Sequence, residues 1–381
     1  MTAARDDAQP LTLTLAPATH QGRWQDYVRP PDAQVIRTIG AAFEEVDGVA
    51  YQNASVIRYG GREYVFSRRA ILTLVVVAAC NAACRFCSNE ITFTPSGPYL
   101  THGDSLERVR DFALLAGVRK LAITGGEPTL QPQKLFDLVR SFGPGFRRIR
   151  LHTNGSNAFS PVIVDGQEVE LLPALSEAGL TGVSVSVAHF DQDANAAVMR
   201  FKKGWQFTPT DVLSRIASLA SDRFTPRLSC VMTHSGVATV EDMLEYMRWG
   251  RQIGYRKFIF RTCSSIPEDF RKVTEYSEFN AENYLAIDDI SSALDRLPGF
   301  ERTFRQRKSD SNVDSYVWGD ISFDVDESSE EVDPDAKVRR INVMPTGVAY
   351  TSWIDPLAVL FDDDLASAER ARQREFGGAR R

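Results

Sequence analysis

The chain reads as an α/β protein, a partial (β/α)6 barrel with an N-terminal hairpin extension and a C-terminal α+β extension. Three features carry that reading. Short apolar runs of strand type alternate with segments of helical period, and six such pairs follow one another. The length of 381 residues exceeds one average domain but fits a large barrel with additions. Hydrophobic residues at 43% and charged residues at 25% are ordinary globular values, which exclude wholesale disorder, collagen and a coiled coil.

Residues 1–34 contain Pro10, Pro17, Pro30 and Pro31 with little periodicity, so an extended arm is expected there. In 50–66, Val56, Arg58, Glu63 and Val65 flank Gly60 and Gly61, a pattern for two short strands joined where positive φ comes without steric cost. The barrel strands are expected at 71–77, 120–124, 148–153, 182–187, 227–232 and 257–261. Between them Leu106, Val109, Ala113 and Ala116 repeat at helical spacing. So do Leu135, Leu138 and Val139; Val212, Ile216 and Leu219; and Val240, Met243, Leu244 and Met247. Right-handed crossovers curl such a sheet into a full or partial barrel, with function at the carboxyl ends of its strands. Beyond it, a helix is expected around 284–297, a solvated acidic loop at 320–335, and a closing pair of strands at 338–343 and 347–353. The tail from Asp362 is charged and reads as a surface helix or frayed end. The implied division is 1–68 for the arm and hairpin, 69–265 for the barrel, and 266–381 for an extension covering it.

With 44 Lys and Arg against 50 Asp and Glu, the net charge of -6 supplies no global positive field, so nucleic acid is not an expected partner. The first residues lack a basic start followed by an apolar core, and the most apolar run, 71–79, is too short to span a bilayer. A cytoplasmic protein without a membrane partner is expected.

Five cysteines are too few for a disulfide scaffold, and an odd number cannot all pair within one molecule. Cys80, Cys84 and Cys87 crowd into the loop after the first barrel strand, whereas Cys230 and Cys263 stand alone. Thiolates are soft ligands suited to iron-sulfur clusters and zinc. Three of them on one short loop reach three corners of a cubane, leaving one iron open to an exchangeable molecule. A zinc knuckle is the alternative, with His102 as the nearest fourth ligand, but paired CxxC halves are lacking.

The CxxxCxxC pattern, with Phe86 before its last cysteine and Thr124-Gly125-Gly126-Glu127-Pro128 at the second strand, resembles the radical S-adenosylmethionine (SAM) superfamily. The resemblance in layout runs from about residue 71 to 261. It implies that Cys80, Cys84 and Cys87 hold a 4Fe-4S cluster whose open iron chelates the amino and carboxylate groups of SAM. Phe86 would lie near the adenine, and Gly125, Gly126 and Glu127 would meet the methionine amino group. Glycines let backbone approach closely, and a carboxylate complements an ammonium. By the same resemblance Asn154 would touch the nucleoside, and Ser184 and Ser186, which share one strand face, the ribose and carboxylate. The chemistry implied is reductive cleavage of SAM to a 5'-deoxyadenosyl radical that removes hydrogen from an unactivated carbon. One departure follows: where molybdenum-cofactor-type members tend to carry an Asp, this chain has Ala188 and His189.

For the substrate, His152, His189 and His234 lie at or beyond the ends of consecutive strands, where they either converge on one cavity or are separately solvated. Arg261, ending the sixth strand, suits a carboxylate or phosphate, or equally a rim salt bridge. Cys263 close by is a candidate to return a hydrogen atom, or a simple core thiol. No cysteine follows Cys263, although 342–353 resembles the hairpin where molybdenum-cofactor cyclases begin an auxiliary-cluster set, with Ser352 near the cysteine's place. A single cluster is therefore expected, with a small polar metabolite as substrate (a sugar, nucleotide or amino acid derivative) in specialised biosynthesis. A ribosomally made peptide is the second candidate and a non-catalytic iron-sulfur or zinc protein the third. The family implies a low-potential donor such as flavodoxin or ferredoxin.

Overall fold

The computed structural model describes residues 34–38, 45–46, 49–50, 54–59, 62–91, 97–101, 103–206, 208–264, 273–306, 312–327, 337–355 and 358–361. The expected N-terminal arm, His102 and the charged tail lie outside them.

The hairpin forms, and it is not a separate piece. Ala54–Tyr59 pairs antiparallel with Arg62–Val75, whose fourteen residues run without a break into the first barrel strand. Five further expected strands follow at Lys120–Thr124, Arg148–Thr153, Gly182–Ser186, Thr225–Val231 and Lys257–Arg261, each parallel to its predecessor in the sheet. The array then extends past the sequence-based six. Lys337–Val343 pairs parallel with the first strand, and Ile321–Glu327 pairs parallel with the sixth. Among the described residues these two outer strands do not pair with each other, so the barrel stays open along one seam.

Ile321–Glu327 corrects the expectation of a solvated acidic loop at 320–335; residues 328–336 lie outside the described set. Ile321, Phe323 and Val325 are buried, while Ser322, Asp324 and Asp326 alternate with them. Period-two alternation overrides the acidic composition here: Asp324 and Asp326 fall on the face opposite Ile321, Phe323 and Val325, and Glu327 at the strand end is buried with hydrogen bonds from Ile287 N and Asn312 Nδ2. The preceding strand, Asn312–Trp318, pairs antiparallel with it. The helix expected around 284–297 is Ile287–Leu294, and a further helix, Glu275–Glu282, opened by a Thr274/Ser277 capping box, precedes it. The closing strands are present as Lys337–Val343 against Ala349–Tyr350.

Within the barrel, one face of every strand meets the helices. Ile149 and Leu151, Leu228 and Cys230, and Phe258 and Phe260 are buried against that layer. The alternate residues Arg150, His152, Arg227 and Arg261 face the lumen and keep partial accessibility. Helix Pro132–Phe142 shows the packing logic: Pro132 sits at its first turn, and Leu135, Phe136, Leu138, Val139 and Phe142 bury one stripe. Full burial of such a side chain stabilises by about 1.5–3 kcal/mol.

Candidate functional site

The cysteine loop leaves the first strand at the carboxyl end of the barrel and is clamped from two sides. On one side it pairs with the chain that follows helix Gln192–Met199. Ala83 N donates to Arg200 O at 3.0 Å, Arg85 N to Val198 O at 3.0 Å and Lys202 N to Asn81 O at 2.9 Å. Lys202 Nζ adds a bond to the Cys80 carbonyl at 2.9 Å. Arg200 and Lys202 thus belong to the loop's support, with exposed side chains. On the other side Asn154 Nδ2 donates to Asn81 Oδ1 at 2.7 Å, Asn81 Nδ2 to Ser156 Oγ at 2.8 Å, and Asn89 Nδ2 to Gly125 O at 2.9 Å. Asn81 was not singled out from sequence. Its signal is position, a buried amide inside the cysteine motif.

All three cysteines are free and partly buried. Cys84 and Phe86 pack with Phe201 against Ala188, Val198 and Met199. Burial pushes all three thiols up, Cys80 to about 11. Such thiols stay protonated at neutral pH unless a metal replaces the proton, and a coordinating thiol is deprotonated outright. The Ala82 N–H points at Cys80 Sγ at 3.4 Å, the kind of bond that tunes cluster sulfurs. Among the described residues no three His, Cys, Asp or Glu side chains are gathered so as to hold a single metal ion. A cubane assigns each cysteine its own iron, so this trio suits a 4Fe-4S cluster better than a mononuclear zinc site.

The GGEP segment meets that loop through its backbone. Gly126 N donates to Val77 O at 2.7 Å and Glu127 N to Ala79 O at 2.9 Å. A Cβ on Gly126 would collide with the Ala79 carbonyl, and Gly125 sits at φ +149, so both positions require glycine. Both glycines thus pack closely against the chain leading into Cys80. Gly126→Ala is expected to cost about 3 kcal/mol of stability, measured by denaturant unfolding, and to displace the cysteine loop.

Glu127 is fully buried and anchors the centre. Its Oε1 accepts from Thr129 N at 3.0 Å, Thr129 Oγ1 at 2.6 Å and Thr153 Oγ1 at 2.7 Å, and its Oε2 accepts from Asn154 N at 2.7 Å. Burial pushes its carboxyl up, and these four bonds oppose the rise. Thr129 and Thr153 are further residues that the sequence did not flag. Among the described residues Oε2 accepts one protein bond, leaving acceptor capacity on that oxygen.

The three histidines do not form one cluster. His152 lies in the lumen, with Arg261, Arg227, Arg150 and Arg340 around it. His189 stacks on Phe190 at 4.3 Å and its Nδ1 accepts from Asp191 N at 2.9 Å, so it is engaged in its own turn. His234 is exposed on the loop after the fifth strand, where its backbone N–H meets Asn283 Oδ1 at 2.9 Å. Ser184 is buried, and its Oγ accepts from Arg227 Nε at 3.0 Å; Ser186 on the same face stays partly accessible. Arg261 faces Asp326, with 3.6 Å between Nε and Oδ2. Cys263 is buried beside Met232 O at 3.6 Å, and burial pushes its thiol up to about 12.

Burial, then the neighbouring arginines, hold His152 well below the usual imidazole range. The unfolded chain protonates this histidine near pH 6.5 while the folded chain does not, so the unfolded state gains protons first. Stability is therefore expected to fall as pH drops below about 6.5, by up to about 1.4 kcal/mol per pH unit from this group. Denaturation midpoints at pH 7.5 and 5.5 check this: His152→Gln should flatten the difference.

Comparison with known proteins agrees with these features. The family model described as the radical SAM superfamily matches residues 74–250. The GTP 3',8-cyclase of Chlorobaculum tepidum is 34% identical over 258 residues, covering 61% of this chain and 71% of that protein. The probable GTP 3',8-cyclase of Methanopyrus kandleri is 31% identical over 235 residues, covering 61% of this chain and 66% of that one. Among solved structures, the radical SAM enzyme coproporphyrinogen III oxidase from Escherichia coli is similar at 14% identity and a TM-score of 0.38, covering 61% of this chain and 53% of that one.

Proposed function

Because this chain belongs to the radical SAM superfamily, whose enzymes use a 4Fe-4S cluster and SAM, we propose that it takes hydrogen from a small polar metabolite held in its barrel. When bound, the cluster and SAM supply a 5'-deoxyadenosyl radical, and everything else falls to the protein. Cys80, Cys84 and Cys87 would hold the cluster. Glu127 Oε2, with its remaining acceptor capacity, would take the methionine ammonium; Phe86 would border the adenine; and Asn154, oriented by its bond to Asn81, would touch the nucleoside. Ser186 would meet the ribose. The lumen below, lined by His152, Ser184, Arg227 and Arg261, would orient the target carbon and exclude bulk water. His189 and His234 are left outside that role, and Cys263 keeps a protonated thiol near the sixth strand's end.

The single observation that carries the reading is the shared hydrogen-bond network in which Glu127, Asn154 and Asn81 tie the SAM-side strand ends to the cysteine loop. Of the relatives named above, one is described as a GTP 3',8-cyclase and the other as a probable one. Their reaction is not carried over, since 342–353 holds Ser352 and no cysteine. A cytoplasmic role in specialised biosynthesis, with a flavodoxin or ferredoxin as reductant, completes the reading. Among the described residues no helix is long and apolar enough to cross a membrane. Anaerobic reconstitution followed by assay for 5'-deoxyadenosine tests it. Reduced, cluster-loaded protein that binds no SAM and forms none of this product would refute it.

A further inference from the structure

The inner face of the barrel collects charge from strands far apart in the chain. Arg150 on the third strand, Arg227 on the fifth and Arg261 on the sixth alternate with core residues, and Asp324 and Asp326 do the same on the seventh. Arg150, His152, Arg227, Arg261 and Asp326 all sit at inward positions of their strands, and each keeps partial accessibility. Three guanidinium groups stand there against two carboxylates, and the charge of Arg340 reaches the same space. With His152 neutral, the lumen is left positive.

The aspartates do not satisfy the arginines. Arg227 Nη1 to Asp324 Oδ2 is 3.9 Å and Arg261 Nε to Asp326 Oδ2 is 3.6 Å, both longer than a hydrogen bond. Ten buried side-chain polar atoms lack a partner among the described residues. Five of them belong to this wall: Arg150 Nη1, Arg261 Nε, Asp326 Oδ1, and Asn342 Nδ2 and Oδ1. Asn342 is fully buried and shares its strand face with Arg340, opposite Thr73 on the first strand. Buried polar groups in native proteins are nearly always satisfied, and guanidinium forks match the oxygens of phosphate or carboxylate. Burial pushes Arg227 down to about 9, which still leaves it charged at neutral pH.

Resting on the radical SAM reading of the same barrel, we infer that the substrate carries an oxyanion, phosphate or carboxylate, which Arg150, Arg227 and Arg261 bind inside the lumen with the Asn342 amide as a neutral contact.

The test is calorimetric titration of the anaerobic, cluster-loaded, SAM-bound protein with inorganic phosphate and, separately, succinate, at ionic strength held constant with chloride. Saturable binding of at least one probe is expected, and the probe that binds identifies which oxyanion the site takes. Arg150→Met and Arg227→Gln should each weaken it tenfold or more, while Arg251→Gln, at an exposed position, should leave it unchanged. If those variants do not fold, Arg150→Lys and Arg227→Lys keep the charge without the fork and should weaken binding three- to tenfold. The bound probe should also raise the wild-type melting temperature above that in the chloride control. Absence of saturable binding by either probe, or equal affinity in the arginine variants, would overturn the inference. Assay of 5'-deoxyadenosine on the same wild-type preparation keeps the two readings apart: product without oxyanion binding sinks only the lumen site, and oxyanion binding without product sinks only the radical chemistry.

Discussion

Cys84→Ala is expected to reduce 5'-deoxyadenosine formation to the level seen without protein and to remove most of the reconstituted iron. The site supplies three thiols on one short loop, so losing one leaves two ligands for a cluster that takes one cysteine per iron. The other two cysteines are fully buried and engaged elsewhere: Cys230 in the fifth strand with Ala188 O, and Cys263 with Met232 O. Iron content, the visible absorbance of the anaerobic protein and product chromatography check the prediction. Cys230→Ala is the matched control. It should keep its iron and lose only about 1 kcal/mol of stability, the cost of a small buried side chain. Full product formation by Cys84→Ala would remove the cluster from this loop.

Glu127→Ala is expected to be the most destabilising single change outside the packed core, on the order of 5 kcal/mol in denaturant unfolding. The carboxylate is the acceptor for four donors, namely the backbone N–H groups of Thr129 and Asn154 and the hydroxyls of Thr129 and Thr153. Removing it strands buried donors at about 1–3 kcal/mol each, partly recovered where the hydroxyls rotate. Glu127→Gln separates this structural role from ligand binding. The amide oxygen can replace Oε1, but its NH2 group then faces the Asn154 N–H, donor against donor, at a cost of about 2 kcal/mol. That variant should fold and retain iron, yet bind SAM at least tenfold more weakly, since an amide no longer complements an ammonium. Unchanged SAM affinity in Glu127→Gln would assign Glu127 to scaffolding alone.

Much of the barrel was legible because its signals are local. The strands at 120–124, 148–153 and 257–261 coincide with the observed ones, each an apolar run of the expected period bounded by turns. At Ile321–Glu327 the acidic composition masks a strand, whose signal is the alternation of Ile321, Phe323 and Val325. The helix Leu171–Glu177 and the small hairpin of Pro161–Val164 with Gln167–Glu170 were not anticipated, since stretches of four to seven residues carry too little periodicity. In the site, Gly126 and Glu127 were found for their chemistry, but the structure adds what they touch: the Ala79 carbonyl for one, Thr129, Thr153 and Asn154 for the other.

What residue order alone determined is the cysteine trio after a first strand, GGEP after a second, and the alternation that makes a parallel barrel. Each depends on neighbours within a few positions, where spacing dictates geometry. Only the tertiary structure decided that His152 stands alone among arginines while His189 and His234 turn elsewhere, and that Arg150, Arg227 and Arg261 share one lumen with Asp324, Asp326 and Asn342. Those residues come from strands far apart in the chain, and their meeting depends on sheet order and register, which no local pattern encodes.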